Sequence, residues 1–127
     1  MTQGDSVDPE VAKALVREYF QRLLNEKDLS VCDEMLSSDY KDTDAPPDAV
    51  GPKNTKEFVT RFLDEYPDMR VDIKDIIAEG NKVAARIVWR GNHREADEAF
   101  HQMGIVILRI NGEGQFVERW SAYKSLE

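Results

Sequence analysis

The chain has 127 residues, enough for one domain that buries roughly two-thirds of its unfolded surface without metals or disulfides. Its formal net charge of -8 argues against nucleic acid and anionic membranes as partners, because an acidic protein repels both. Residues 1–8 lack signal-peptide features and no stretch approaches the ~20 apolar residues of a membrane span, so we expect one cytoplasmic domain, 1–127.

The first predicted helix begins after Asp8. Asp8 is a suitable N-cap, Pro9 a suitable first-turn residue, and Glu10 an acid that favours the positive end of a helix. Apolar residues then recur at three- and four-residue spacing to about Asn25, which predicts one buried face. That face consists of Ala12, Leu15, Val16, Tyr19, Phe20 and Leu23.

A second, shorter helix is predicted after a cap at Asp28, with Leu29, Cys32 and Leu36 as its apolar stripe. The polar residues 37–39 should end it. As the single cysteine, Cys32 excludes an intramolecular disulfide, and its place in the stripe indicates a core residue rather than a nucleophile.

Residues 40–52 are acidic and rich in proline, which predicts a loop that borders a ligand mouth. A third helix should follow, capped by Asn54 or Thr55 and ended by Pro67. Its buried stripe would be Phe58, Val59, Phe62, Leu63 and Tyr66.

The remainder of the chain predicts strands. Alternation from Met69 to Ile77 indicates the first strand, and a turn follows at 79–81. Three apolar runs come next, with a hairpin predicted at Asn111-Gly112 between the last two. Because these strands follow helices, we expect a curled antiparallel sheet wrapped around them. The runs are Val83 to His93, Phe100 to Ile110 and Phe116 to Tyr123.

Parts of the predicted sheet are apolar on both faces. Residues 83–89 and 104–108 are almost continuously apolar, so neither face should be left to water. Helices cover one face only, and a second copy of the chain is the simplest cover for the other. We therefore expect a homodimer formed through the sheet. The mouth of the sheet would be lined by Trp89, His93, His101, Glu118 and Trp120.

Several short motifs occur in an order that is fairly specific in combination. They are residues 29–40 leading into Lys41-Asp42-Thr43-Asp44, Gly51, residues 66–71, residues 77–86, Gly91-Asn92-His93, Leu108-Arg109-Ile110 before Asn111-Gly112, and Val117-Glu118-Arg119-Trp120. From about Tyr19 to Tyr123 the chain resembles the SnoaL-like polyketide cyclase family, within the nuclear transport factor 2-like fold that also includes ketosteroid isomerase. The resemblance implies an α+β cone, in which three helices close over a curved mixed or antiparallel sheet around a cofactor-free pocket, and a dimer formed through the sheet.

Three positions depart from that family pattern. Cyclases of the family typically carry a catalytic aspartate four residues after the tryptophan that matches Trp120, and here Lys124 occupies the position. Thr43 stands where a histidine is usual. The connection after the G-x-H motif, Arg94 to Ala99, is shorter and less glycine-rich than usual. These departures put the family's catalytic set in doubt.

The family reaction, an intramolecular aldol ring closure, needs a base and a donor that stabilises the enolate. Glu118 is the best remaining acid on the last strand and shares a face with Trp120, so it is the candidate base. The alternative is an ion pair with Arg86 or Arg109. His93 matches the G-x-H position as a donor or proton relay, or else it is structural.

Candidate pocket walls are the aromatic residues Tyr19, Tyr40, Trp89, Trp120 and Tyr123, with His101 at the rim and Lys124 as a positive charge that closes the cone. Core packing is the alternative for the aromatic residues, and solvation is the alternative for Lys124. Two histidines on separate strands without a third ligand do not predict a metal site.

Three functions fit these observations. The first is a cofactor-independent cyclase or isomerase acting on an apolar cyclic or polyketide-like substrate, with an atypical active site. The second is a non-catalytic protein that binds or carries a small apolar or aromatic ligand. The third is a dimeric scaffold whose cone is filled by side chains. Fold alone does not decide between them, because this architecture hosts many roles.

Overall fold

The computed structural model describes residues 7–126 and contains three α-helices and one five-stranded sheet. The helices are α1 (Pro9–Phe20), which continues into a π-helical turn (Gln21–Asn25), α2 (Ser30–Met35) and α3 (Pro52–Glu65). The strands are β1 (Leu36–Asp42), β2 (Arg70–Glu79), β3 (Lys82–Asn92), β4 (Ala99–Ile110) and β5 (Phe116–Ser125). The predicted α+β class is confirmed. No helix in the described range is long and apolar enough to cross a membrane.

The first helix begins where the sequence predicts. Asp8 caps it, since its Oδ1 accepts hydrogen bonds from the backbone N–H groups of Glu10 (2.9 Å) and Val11 (3.3 Å). At its far end Asn25 donates to Val71 O (3.0 Å) and accepts from Val71 N (2.8 Å). This pair of bonds joins the π-helical turn to the start of β2.

The segment predicted as a helix end and a loop forms a strand instead. Residues 36–42 make β1, which pairs in parallel with β5 and gives the sheet its mixed character. Ser and Asp disfavour strands locally, so the pairing with a distant partner determines the structure here. Helix α3 also begins earlier than predicted, at Pro52, because Gly51 has a φ of 90° that turns the chain into the helix.

The strand order is β1-β5-β4-β3-β2, and all neighbouring pairs except β1 and β5 are antiparallel. Opposite residues fix which side chains share a face, because side chains alternate along each strand. We call the face packed on the helices the inner face. Its residues from β3 to β5 are Val83, Ala85, Ile87, Trp89, Phe100, Gln102, Gly104, Val106, Leu108, Arg119, Ser121 and Tyr123.

The opposite side, which we call the outer face, is apolar at its centre and charged around it. Its central residues are Ala84, Val88, Met103, Ile105, Ile107, Trp120 and Ala122. Ile105 is 42% exposed, and Ile77 of the neighbouring strand β2 is 70% exposed. Charged side chains surround this patch, among them Arg86, which is paired with Asp75 of β2 (2.6 Å).

Candidate functional site

A cavity of about 620 Å³ lies between the helices and the inner face of the sheet. Helix α3 forms one wall, α1 and the π-helical turn form a second, and strands β3, β4 and β5 form the floor. The lining is largely apolar and aromatic with a few polar groups, a composition common in small-molecule sites. The polar lining residues are Asp42, Asp44, Asn54, Thr55, Arg61, Gln102, Arg119, Ser121 and Tyr123.

Arg119 is the principal polar group of the floor. It is only 8% exposed and projects from the inner face of β5. Its Nε donates to Ser121 Oγ (2.9 Å), and its Nη2 donates to Tyr123 Oη (2.5 Å). Its guanidinium also lies 5.8 Å from the centroid of the Phe20 ring. Contacts within β5 and with α1 therefore hold the guanidinium in one orientation.

Arg119 keeps its positive charge despite its burial. Burial opposes the charge, but the neighbouring tyrosine oxygens and Asp42 outweigh this effect and raise the pKa of Arg119 above its ordinary value. Within residues 7–126 the guanidinium forms no ion pair with a carboxylate. The cavity thus contains a buried cation whose direct partners are two neutral hydroxyl groups.

Trp89 lines the cavity and carries a donor that the described residues do not use. It is 8% exposed, and its buried Nε1–H has no hydrogen-bond partner in the described part of the chain. Its ring lies 5.9 Å from that of Tyr123, centroid to centroid. The tyrosine reaches it by crossing Gly104, where a Cβ atom would lie 2.5 Å from the tyrosine ring. The glycine therefore allows the two rings to meet.

An aromatic cluster forms the wall beside Trp89. Phe62 of α3 makes edge contacts with Trp89 (5.7 Å) and Phe100 (5.3 Å) and stacks on Phe58 (5.9 Å). Phe58 is 54% exposed although it lines the cavity. This wall offers several ring faces to a flat apolar ligand.

Two carboxylates line the same cavity, as their loop position suggested. Asp42 is the parallel-strand register partner of Arg119, and its Oδ1 accepts a hydrogen bond from Asp44 N (2.9 Å). Between them Thr43 binds Arg119 O through both its backbone N–H and its Oγ1 (2.9 Å each). The end of β1 is therefore fixed against β5. As a result, Asp42 and Arg119 are neighbours on adjacent strands.

Tyr40 and Tyr19 are buried near Arg119, and their hydroxyl groups have no hydrogen-bond partner in the described range. Burial raises the pKa of Tyr40 to about 12, although the charge of Arg119 opposes the rise. Burial likewise raises the pKa of Tyr19 well above its ordinary value. Neither residue lines the cavity, so the expected place of Tyr40 in the pocket wall is corrected to a place in the core.

The structure places Glu118, Trp120 and Lys124 on the outer face, away from the cavity. Glu118 and Trp120 do share a face, but strand alternation turns that face outward. Arg109 Nε donates to Glu118 Oε1 (3.1 Å), which is the ion-pair alternative considered for this acid. Lys124 is exposed opposite Met103 and does not close the cone.

The two histidines also lie outside the cavity lining. His93 follows β3, and its Nδ1 accepts hydrogen bonds from Glu95 N (3.2 Å) and Ala96 N (3.1 Å). It therefore organises the turn before β4, as its structural alternative implied. His101 is opposite Arg90 on the outer side of the sheet. Of the residues proposed from the sequence for ligand binding, Trp89 and Tyr123 line the cavity.

Sequence reasoning missed Arg119 and Ser121 as cavity residues. The tryptophan at position 120 suggested that even-numbered residues of β5 face inward, whereas the odd-numbered ones do. The available signal was the polar alternation of Arg119, Ser121 and Tyr123 itself, together with Gly104, whose missing side chain accommodates Tyr123.

Comparisons with known proteins agree with this architecture. The TsrD structure from Streptomyces laurentii matches with a TM-score of 0.83 at 22% identity, covering 93% of this chain and 91% of TsrD. Wild-type IdmH from Streptomyces antibioticus, a proposed polyketide cyclase, matches with a TM-score of 0.75 at 21% identity, covering 89% and 91% of the two chains.

AclR from Streptomyces galilaeus, a proposed hydroxylase, matches with a TM-score of 0.76 at 23% identity, covering 91% of this chain and 79% of AclR. These identities support a shared fold, while the activities of the three proteins remain their own. No curated protein sequence matches. The model of the SnoaL-like polyketide cyclase family matches residues 14–127. The chain therefore belongs to the SnoaL-like polyketide cyclase family.

Proposed function

We propose that this protein is a cofactor-independent cyclase or isomerase that acts on a carbonyl compound held in the cavity. The observation that carries the proposal is the placement of Asp42 beside Arg119 in the strand register, at an aromatic cavity of about 620 Å³. Aldol-type and isomerisation reactions remove a proton next to a carbonyl and move charge onto oxygen, so they need an acid–base group and a positive donor.

Asp42 is the proposed base. It lines the cavity, and one of its oxygens accepts from Asp44 N, which orients the carboxylate and leaves the other oxygen for substrate. Arg119, with Tyr123 and Trp89, supplies the donors for the developing enolate oxygen. In this proposal Asp42 takes the role of the acid that the family usually carries on its last strand.

Deuterium exchange tests the proposal. Cyclic and open-chain 1,3-dicarbonyl compounds are incubated with the protein in D₂O, and label at the acidic carbon is followed by NMR. We expect catalysed exchange that falls at least about 100-fold in Asp42→Asn, in the usual range for losing a general base. Asp48→Asn, at an exposed loop acid, is the matched control and should retain full activity. Exchange that survives Asp42→Asn overturns the assignment of the base, and tight binding without exchange supports a carrier instead.

The outer face is proposed to bind a second copy of the chain. Its apolar centre, including Ile105 and Trp120, is left uncovered by the helices of its own chain. The surrounding charges suit a closed two-fold contact, because both signs occur there, Lys82 and Arg86 beside Asp75 and Glu118. A dimer through the sheet leaves the cavity open on the other side.

A further inference from the structure

The guanidinium of Arg119 has donor capacity that the protein does not use. An arginine carries five N–H groups, and here Nε donates to Ser121 and one Nη2 hydrogen to Tyr123. Within residues 7–126 the remaining N–H groups, including both on Nη1, form no further hydrogen bond of good geometry, although the Tyr40 hydroxyl is close enough for Arg119 to oppose the rise in the pKa of Tyr40. A ligand in the cavity can therefore accept from the guanidinium without displacing either existing bond.

The groups around Arg119 are also donors. Ser121 Oγ and Tyr123 Oη already act as acceptors for Arg119, which leaves their own O–H protons for another partner. Trp89 Nε1–H, on a residue 8% exposed, is a donor without an acceptor. The polar groups that β5 presents to the cavity are thus mainly donors, and the matching ligand group is rich in acceptors and has no hydrogens to donate.

The acceptor should carry a permanent negative charge. A buried cation without an adjacent anion is unfavourable, because burial removes its hydration and two neutral hydroxyls replace only part of it. Asp42 is near in register but forms no ion pair with Arg119. A neutral ketone leaves this imbalance in place, whereas a carboxylate removes it and fits the planar guanidinium through paired hydrogen bonds.

The remainder of the ligand must suit the aromatic wall. The Phe62 ring lies 5.7 Å from the Trp89 ring and 5.3 Å from the Phe100 ring, centroid to centroid. We propose that the cavity binds a planar aromatic carboxylate, whose carboxylate lies against Arg119 and whose rings pack on this wall. This inference rests on the proposed function: the substrate would be such a carboxylate that also carries the reacting carbonyl group, and the simple aromatic acids below test binding alone.

Binding of matched acids and amides tests the inference on the wild-type protein. Benzoate, 2-naphthoate and anthracene-2-carboxylate are titrated by calorimetry beside benzamide, 2-naphthamide and anthracene-2-carboxamide. We expect the largest acids that fit to bind at least about 10-fold more tightly than their amides, the usual gain of a hydrogen bond to a charged group. Because the net charge of -8 repels anions at long range, such a preference must come from contacts inside the cavity.

Two variants locate the contact. Arg119→Gln should abolish the preference for acid over amide, whereas Arg17→Gln, which removes an equal charge from an exposed residue outside the cavity lining, should preserve it. If Arg119→Gln does not fold, as judged by circular dichroism, Arg119→Lys keeps the charge without the paired geometry and should retain only part of the preference.

Each outcome bears on the proposal separately from catalysis. Equal or tighter binding of the amides overturns it, as does failure of all three acids to bind, or equal losses in Arg17→Gln and Arg119→Gln. A preference for acids in the wild-type protein, together with absence of deuterium exchange by the wild-type protein, supports the ligand class while it contradicts the proposed reaction.

Discussion

Tyr123 Oη accepts a hydrogen bond of 2.5 Å from Arg119 Nη2, and the ring that carries this hydroxyl lies across Gly104. The three residues come from the inner faces of β4 and β5, and the Tyr123 ring also contacts the Trp89 ring on β3. The orientation of the buried cation therefore depends on a glycine that itself contacts no ligand.

Gly104→Ala should disturb the site without unfolding the protein. The added Cβ would lie 2.5 Å from the Tyr123 ring, which is 44% exposed and can swing toward solvent. Ligand affinity should fall about tenfold, because Arg119 loses one of its two orienting bonds. The free energy of unfolding in urea should fall by only about 1 kcal/mol. Tyr123→Phe, which keeps the ring and removes the hydroxyl, should cause a similar loss of affinity; unchanged affinity in both variants would contradict the role of this contact.

Glu118→Gln should leave catalysis nearly unchanged. The carboxylate is on the outer face and pairs with Arg109, and both side chains remain about one-third exposed, at 29% and 34%. Such a pair contributes about 0–1 kcal/mol to stability. We expect less than about a twofold change in the deuterium exchange rate, in contrast to Asp42→Asn. A loss of exchange rate comparable with that of Asp42→Asn would show that Glu118 takes part in catalysis.

Stability should fall in alkaline solution as Tyr40 ionises. Burial raises its pKa to about 12, from about 10 when unfolded, so the unfolded chain loses this proton first. The contribution is therefore fully present below about pH 10, declines as pH rises through 12, and has an upper limit of about 3 kcal/mol.

Tyr40→Phe should remove part of this alkaline decline, as measured by urea unfolding at pH 8, 10 and 11. At pH 8 the variant should be as stable as the wild type or slightly more so, because the hydroxyl is buried without a partner. Tyr66→Phe is the comparison. Partial burial and Glu98 raise the pKa of Tyr66 as well, but Tyr66 is less buried than Tyr40, so this variant should reduce the alkaline decline less. An identical pH profile for wild type and Tyr40→Phe would contradict the prediction.

Ile105→Glu should convert the proposed dimer into a monomer. Ile105 is at the apolar centre of the outer face, and a carboxylate there would be desolvated against its copy. Light scattering at micromolar concentration should give half the mass of the wild type. Val50→Glu, at a residue of similar exposure in the loop before α3, should keep the larger mass. A wild-type protein that is already monomeric would contradict the proposal directly.

Periodicity and capping predicted most of the architecture because both depend on residues that are close together in the sequence. Asp8 caps α1 as expected, and the turn at Gly80 connects β2 to β3 with Glu79 opposite Lys82. The β1 strand was not predictable in this way, since a run rich in Ser and Asp becomes a strand only by pairing with β5. Its backbone partners are supplied by residues far away in the sequence.

The candidate site was harder to predict than the fold, because a shift of one residue moves every side chain of a strand to the other face. Trp120 suggested the wrong face for β5. Glu118 and Lys124 share a face with Trp120, so they were also expected at the cavity. Trp89 does line the cavity, although its nearly continuous apolar run did not show which face of the sheet it occupies. Without the register, Arg119 and Ser121 resembled residues of an ordinary solvent-facing edge.

The parallel pairing of β1 with β5 also bears on the order of folding. Residues 36–42 emerge from the ribosome long before residues 116–119, so the strand that carries Asp42 has no partner while the intervening chain is synthesised. Closing so long a loop is slow compared with forming the hairpins of β2 to β5. Asp42 and Arg119 are therefore brought together late, and refolding experiments should recover hairpin structure before ligand binding.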